Sequence, residues 1–180
     1  MNLSTRDRGM NKFNSDTYCG SYCGACSIAM YSNTGRADEF VVCLGGVPKE
    51  ELSCGGCKAC DIRSCAREKG IEHCIDCADY PCKSFRTRQT VAKLLPHLHG
   101  ADAGLKSIKL DGVDHWLDVQ KKRWSCPDCG TSFSWYAAEC SKCGSSLASK
   151  AHKLSGWRKL LCRFMLTMAY RKGMTENKIV

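Results

Sequence analysis

The residues best suited to chemistry in this chain are its cysteines, which account for 16 of 180 residues. Four of them form two matching knuckles, in which Cys126 pairs with Cys129 and Cys140 pairs with Cys143. A CxxC knuckle directs two sulfurs to one point, and two knuckles supply the four thiolates of a tetrahedral zinc site. Because four thiolates close the coordination sphere, the pattern predicts a structural zinc ribbon. A single-iron site of the rubredoxin type is the alternative, which the short spacer disfavours.

Ten further cysteines in the N-terminal half are predicted metal ligands whose pairing stays open. They are Cys19, Cys23, Cys26, Cys54, Cys57, Cys60, Cys65, Cys74, Cys77 and Cys82. Two knuckles, Cys54/Cys57 and Cys74/Cys77, lie at a spacing typical of zinc sites. One prediction is that these four cysteines form one site, and other pairings are equally possible. Ten ligands are two more than a pair of four-cysteine sites would use. One site would therefore be a cluster or recruit His73, although a histidine beside a cysteine more often faces solvent.

Iron–sulfur clusters are the alternative to zinc in this half of the chain. The CxxxCxxC spacing from Cys19 to Cys26 matches the cluster loop of radical S-adenosylmethionine enzymes, but Ala25 replaces the usual aromatic residue and no βα repeats indicate their barrel. The run from Cys54 to Cys65 approaches a ferredoxin pattern, but its last gap is longer and Ala66 replaces the proline. Zinc is the preferred metal, with an iron–sulfur cluster as the alternative.

The surroundings of these cysteines favour metal binding over disulfides. The first 17 residues contain no apolar stretch suited to a signal peptide, and the chain has no apolar run long enough to span a membrane. We therefore predict a cytoplasmic protein with reduced thiols. Charge is uneven, with a balance of −2 over residues 1–82 and +11 over residues 83–180.

Composition divides the chain into five predicted segments. They are a flexible N-terminus (1–17), a cysteine-rich metal-binding domain (18–83), a helical segment (84–123), the zinc ribbon (124–147), and a basic amphipathic helix with its tail (148–180). The predicted fold class is α+β, a small metal-stabilised domain in which Ser132–Tyr136 forms a strand and residues 40–44 form a strand or helix turn.

The helical segment is predicted to hold two helices. Ser84 would cap the first, whose apolar positions are Phe85, Val91, Leu94 and Leu95, and Pro96 would come just past its end. A glycine-containing loop would follow over residues 100–104. The second helix places Val113, Trp116, Leu117 and Gln120 on one face.

The C-terminal helix is predicted over residues 154–172, with Ser155 as its cap and Gly173 beyond its end. Its apolar stripe consists of Leu154, Trp157, Leu161, Phe164, Met165 and Met168. This pattern predicts docking to a protein partner through the helix, and peripheral contact with an anionic membrane is the alternative.

The N-terminal motifs resemble a known family. The motifs are Tyr18-Cys-Gly-Ser-Tyr-Cys-Gly-Ala-Cys26, Cys54-Gly-Gly-Cys57, and the stretch from Cys60 through Glu72-His-Cys-Ile-Asp-Cys-Ala-Asp-Tyr-Pro-Cys82. They are similar to the cysteine-rich bacterial and archaeal proteins grouped as domain of unknown function 3795. Residues 112–124, which lead into the ribbon, are similar to members that carry one. The resemblance implies a cytosolic, metal-binding prokaryotic protein and no particular reaction.

Three other features have alternative interpretations. Residues 121–124 form a basic block that, with Trp135 and Tyr136, would suit nucleic acid, but a solvated helix end beside core aromatics is preferred. Cys162 is interpreted as a buried small hydrophobe. His97 and His99 are expected to be exposed at a helix end.

These observations predict a metal-binding adaptor, most simply a zinc protein. No Ser–His–Asp, P-loop or HExxH pattern is present, so we predict no catalytic site and no small-molecule substrate. An iron–sulfur redox or cluster-carrying accessory protein is the alternative function. A zinc-ribbon module that binds nucleic acid is the third.

Overall fold

The computed structural model describes residues 17–34, 38, 60–154 and 156–176, and this part of the chain is mostly helical. The helices are α1 (Ser27–Thr34), α2 (Asp61–Glu68), α3 (Lys83–Ala92), α4 (Ala101–Asp111), α5 (Val113–Arg123) and α6 (Gly156–Glu176). Short 3₁₀ turns are formed by Cys23–Ala25, Cys74–Asp76 and Pro96–Leu98.

The predicted α+β class is wrong, because the described residues contain no sheet. Their extended pairing consists of two isolated antiparallel bridges, one between Ser125 and Ser132 and one between Glu139 and Ser146. The predicted strand Ser132–Tyr136 does not form a ladder. Its backbone donors are used elsewhere, since the Trp135 N–H donates to the Ala25 carbonyl. The expected element at residues 40–44 lies outside the described residues.

Three boundaries differ from the sequence-based expectations. Helix α3 begins at Lys83, so Cys82 and not Ser84 takes the N-cap position. The helix ends at Ala92, before the predicted positions Leu94 and Leu95, and Pro96 opens a 3₁₀ turn after it. The loop expected over residues 100–104 is instead the start of α4. Helix α5 matches its prediction, and Trp116 is buried on the expected face.

Gly104 explains why a glycine-containing stretch is helical here. A Cβ atom at Gly104 would lie 2.2 Å from the carbonyl oxygen of Gly20. Gly20 has a positive φ of 74°, which favours glycine in turn. The missing side chain therefore allows the turn around Cys19 to contact α4 directly. Composition alone indicated a loop because it does not show this close approach.

The buried apolar residues form two clusters. The aromatic core contains Trp124, Phe133, Trp135, Tyr136 and Leu147, with residues from α1, the Leu95–Leu98 region and Cys162. The thiol core contains Cys19, Ile62, Phe85, Ala101 and Leu105, with Cys60, Cys74 and Cys82 packed against it. Each core therefore contains or adjoins predicted metal ligands.

Helix α6 contacts the aromatic core through a narrow face. Cys162 is only 1% exposed, as predicted, and its sulfur lies 3.9 Å from Tyr136 Oη. Leu154 and Met165 also pack against this core. The Arg158 guanidinium donates a hydrogen bond to the Lys93 carbonyl at 2.7 Å. The side of the helix that contains Cys162 is thus fixed to the rest of the protein.

The end of α6 differs from its prediction. The helix continues to Glu176, so Gly173 does not end it. Of the predicted apolar stripe, Trp157, Phe164 and Met168 are exposed, whereas Leu154 and Met165 pack against the aromatic core. Ser155, the expected cap, lies outside the described residues. None of the helices in the described ranges is long and apolar enough to cross a membrane.

Candidate metal centre

The C-terminal four-cysteine group consists of Cys126, Cys129, Cys140 and Cys143, and the fold brings all four sulfurs together. They lie within 4.8 Å of one another and could hold a metal ion. The Cys126 and Cys143 sulfurs are 3.7 Å apart, and those of Cys129 and Cys140 are 3.5 Å apart. A zinc ion with Zn–S bonds of about 2.3 Å requires tetrahedral sulfur separations of about 3.8 Å. The spacing and the donor set therefore fit one tetrahedral ion such as zinc.

Both knuckles of this group have the same local geometry. In the first, the Gly130 N–H donates to the Cys126 carbonyl at 2.9 Å, and Gly130 has a φ of 70°. In the second, the Gly144 N–H donates to the Cys140 carbonyl at 2.9 Å, and Gly144 has a φ of 74°. Because L side chains rarely adopt such φ values, glycine after the second cysteine is a structural requirement of each knuckle.

Two hydroxyl groups that the sequence analysis did not identify contact the outer sulfurs. Cys129 Sγ lies 3.3 Å from Thr131 Oγ1, and Cys143 Sγ lies 3.1 Å from Ser145 Oγ. The Thr131 contact lowers the pKa of Cys129 to about 6, and the Ser145 contact lowers the pKa of Cys143. Both hydroxyls therefore favour the thiolate form that a metal needs. The repeated Cys-Gly-Thr/Ser triplet was the available signal.

The inner sulfur of the first knuckle has a different environment. Burial raises the pKa of the Cys126 thiol to about 11, because a charged sulfur loses hydration there. A cation bound by the group would offset that loss by supplying positive charge next to the thiolate. The C-terminal four-cysteine group thus combines two sulfurs that favour the thiolate with one whose ionisation benefits from a bound cation.

Aromatic side chains surround this group and are buried. Trp124 and Phe133, which flank the first knuckle, contact edge to face with ring centroids 5.7 Å apart. Trp124, Trp135 and Tyr136 are each at most 7% exposed, as the core interpretation predicted. The knuckles are therefore joined to the aromatic core by the residues next to their cysteines.

His97 belongs to this core, and the expectation that it is solvent-exposed was wrong. Its ring stacks on Trp135 with centroids 4.1 Å apart, and its Nδ1 lies 2.6 Å from Tyr136 Oη. Burial, followed by the nearby charge of Arg88, lowers the pKa of His97 to about 3. The imidazole is therefore neutral at physiological pH. His99 is exposed, as expected.

A second set of cysteines, the N-terminal thiol group, gathers around Cys74. Its members are Cys19, Cys60, Cys65, Cys74 and Cys82. Burial, followed by charge repulsion from the other four sulfurs, raises the pKa of the Cys74 thiol to about 12. The Cys74 N–H donates to the Tyr18 carbonyl at 2.8 Å, which joins two distant parts of the chain beside these sulfurs. Half of the predicted N-terminal ligands thus lie near one another.

The other predicted N-terminal ligands have different surroundings. Cys77 Sγ lies 3.5 Å from Lys69 Nζ, and that lysine forms a 2.5 Å ion pair with Asp79. Cys26 belongs to the aromatic core, whereas Cys19 belongs to the thiol core. The CxxxCxxC motif is therefore divided between two cores. Cys23 is half-buried in a 3₁₀ turn.

Two further expectations concern this half of the chain. Cys54 and Cys57 lie outside the described residues, so their pairing with Cys74 and Cys77 stays a prediction. His73 is buried rather than solvent-facing. Within the described ranges, no other set of three or more Cys, His, Asp or Glu ligand atoms lies within 4.8 Å of one another, so the C-terminal group alone has single-ion spacing there.

Comparison with known proteins identifies one family over part of the chain. Residues 15–87 match the family model described as "Protein of unknown function (DUF3795)". The expected resemblance is confirmed over this range, which contains the whole N-terminal thiol group and ends before the C-terminal four-cysteine group. No curated protein and no solved structure matches the chain. The family description names no activity, so any function must be argued from the sites.

Proposed function

We propose that the chain is a zinc-stabilised adaptor without a catalytic site of its own. In this proposal a structural zinc ion in the C-terminal four-cysteine group stabilises the aromatic core, and the core presents α6 to a protein partner. The observation that carries the proposal is the pair of sulfur separations, 3.5 and 3.7 Å, in two equivalent knuckles. This geometry supports a single ion bound by four thiolates.

A structural role follows from the number of ligands. Catalytic zinc sites keep a coordination position for water or substrate, whereas four protein thiolates fill a tetrahedral ion. The core residues Trp124 and Phe133 lie next to the first knuckle, so their positions depend on its geometry. The proposed role of the metal is therefore to stabilise the aromatic core, and it takes no part in a reaction.

The exposed side of α6 supports the binding role. Trp157 is 67% exposed, Leu160 70%, Phe164 62% and Met168 50%. These positions recur every three or four residues, so they form one stripe along the helix, away from buried Cys162. Burial of such side chains favours association by roughly 1.5–3 kcal/mol each before ordering costs. We call these four residues the α6 stripe.

Charge indicates the chemistry of the partner. The C-terminal half of the chain, which includes α6, has a balance of +11 over residues 83–180. A matching surface would place an apolar groove between acidic side chains. Such a protein groove is the occupant that we propose.

Site-specific photo-crosslinking in cells tests this assignment. A crosslinking residue in place of Phe164 should capture one discrete protein, and Trp157→Asp in the same chain should reduce its yield strongly. The matched control carries the crosslinker at Lys109, an exposed position on α4. Equal capture at both positions would contradict a specific groove.

Binding to anionic vesicles tests the competing membrane function. Salt-sensitive pelleting of the full chain that Phe164→Asp abolishes would assign the α6 stripe to a membrane surface instead. The nucleic-acid function has lost part of its support, because Trp124, Trp135 and Tyr136 are buried and offer no exposed faces for base stacking.

A further inference from the structure

We propose that the N-terminal thiol group binds a [4Fe–4S] cluster through Cys74 and three of the sulfurs of Cys19, Cys60, Cys65 and Cys82. This site is separate from the zinc site and from the α6 stripe. The proposal does not depend on the adaptor function, and either can fail without the other.

Cysteines from distant parts of the chain converge in this group. Cys19 lies in the turn before the first 3₁₀ turn, Cys74 begins the second, and Cys60 and Cys82 immediately precede α2 and α3. Cys19 is buried in the thiol core, and Cys60, Cys74 and Cys82 pack against the same core. Helix packing, and not a short sequence motif, thus brings these thiols to one place.

The sulfurs of this group lack the spacing of a single-ion site. No three of the five lie within 4.8 Å of one another, in contrast to the C-terminal four-cysteine group. A single zinc ion requires its sulfurs to be about 3.8 Å apart. A [4Fe–4S] cluster holds its cysteine sulfurs farther apart, because several iron and sulfide ions lie between them. The centre assigned to this group is therefore polynuclear.

The environment of the thiols combines apolar side chains with backbone donors. Phe85 and Leu105 are fully buried beside them and limit the access of solvent. Cys60 and Cys82 occupy helix N-cap positions, where backbone N–H groups favour negative charge on sulfur. Apolar shielding with nearby N–H donors is a setting that stabilises an anionic iron–sulfur centre.

Metal analysis of the full chain tests the proposal directly. Protein prepared without oxygen, or reconstituted anaerobically with iron and sulfide, should contain roughly four iron and four sulfide per chain. It should be brown and bleach on reduction with dithionite, and about one zinc per chain should remain in the C-terminal group. A colourless chain that takes up no iron under either condition would overturn the proposal, and additional zinc in its place would assign the site to zinc.

Matched variants then test the ligand set. Cys74→Ser should lose nearly all bound iron, whereas Cys77→Ser should keep it, because the Cys77 sulfur contacts Lys69 at the surface. If Cys77→Ser loses iron as completely as Cys74→Ser, the ligand set is wrong. Of the four serine variants at Cys19, Cys60, Cys65 and Cys82, one should retain the cluster and three should lose iron. If none of the four loses iron, the proposed site is wrong.

Amide hydrogen exchange on each variant separates loss of a ligand from loss of folding. A Cys74→Ser chain that keeps the exchange protection of α2 and α3 is still folded around the thiol core, and its iron content then reports the ligand. If the variant loses that protection as well, the iron content of the unaltered chain still decides whether the cluster exists.

Discussion

The two cysteine groups of this chain are assembled in opposite ways. The C-terminal four-cysteine group is local, since all its ligands lie within residues 126–143 and each knuckle closes through its own hydrogen bonds. The N-terminal thiol group is tertiary, since its sulfurs come from positions between 19 and 82 and meet only when helices pack. A local site should depend chiefly on its metal, whereas a tertiary site should depend on metal and core packing together.

The largest expected effect is the loss of one ligand from the local site. Cys140→Ser should release the metal and disorder residues 124–147, because binding energies of roughly 10–16 kcal/mol for structural zinc exceed or match the stability of a small domain. Zinc content and amide hydrogen exchange measure both effects. We expect the exchange protection of α2 and α3 to persist.

Cys162→Ser is the matched control for that variant. It removes a buried thiol from the same aromatic core, but Cys162 is not one of the four clustered sulfurs. Full zinc content should therefore remain. The distinction between the groups would fail if Cys140→Ser kept its zinc and its protection over residues 124–147.

The next largest effect concerns the packing of the tertiary site. Phe85 is fully buried among the thiols, so Phe85→Ala should destabilise the chain by roughly 3–5 kcal/mol. Urea denaturation measures the loss, and metal analysis should show zinc retained in the C-terminal group while metal in the N-terminal group falls. Val119→Ala, at a position 46% exposed, is the control and should change stability by less than about 0.5 kcal/mol.

The same contrast explains what the sequence could predict. The C-terminal group was predictable residue by residue, because spacing within a knuckle is a local property and both glycines mark it. The N-terminal group depends on the fold, because Cys74 packs against the thiol core whereas Cys77 lies beside Lys69. The pairing of Cys54/Cys57 with Cys74/Cys77 stays a prediction. Helix α5 was predictable from its periodicity, but the start of α4 depended on the contact between Gly104 and Gly20.

The burial of side chains on α6 shows the same limit of sequence-based prediction. The sequence pattern identified a helix with an apolar stripe, and it placed Trp157 and Phe164 on that stripe. It could not show which side of the helix would meet the core, because the position of the aromatic core depends on residues far away in the sequence. Cys162 and Met165 make the contact with the core, and Trp157, Phe164 and Met168 stay exposed.

Removal of a hydroxyl group beside the C-terminal four-cysteine group should have a smaller effect, on zinc affinity. Thr131→Val removes the contact that lowers the pKa of Cys129, so more free energy is needed to form the thiolate and zinc affinity should fall roughly tenfold. Competition with a chromophoric chelator measures the change. Thr90→Val is the matched control, because its hydroxyl bonds to the Arg86 carbonyl within α3. Equal affinities in the two variants would show that the hydroxyl does not tune the site.

The smallest expected effect is on the pH dependence of the free energy of unfolding, through His97 in the aromatic core. The pKa of His97 falls from 6.5 to about 3 in the folded chain, chiefly because the ring is buried. Below pH 6.5 the unfolded chain therefore binds a proton at His97 that the folded chain does not, and the free energy of unfolding decreases as the pH falls towards 3. Above pH 6.5 this contribution is fully present and constant.

His97→Gln tests that contribution, because glutamine retains a polar group without an imidazole pKa. The variant should be less stable than the unaltered chain at neutral pH, since it loses the stack on Trp135 and the contact with Tyr136. The stability difference should shrink as the pH falls below 6.5. Protonation of the thiolates acts on both proteins, whereas the charge of His152 acts on His97 itself and is part of the measured difference. Urea denaturation across this range measures it, and a difference that stays constant or grows on acidification would show that His97 does not titrate between the folded and unfolded chains.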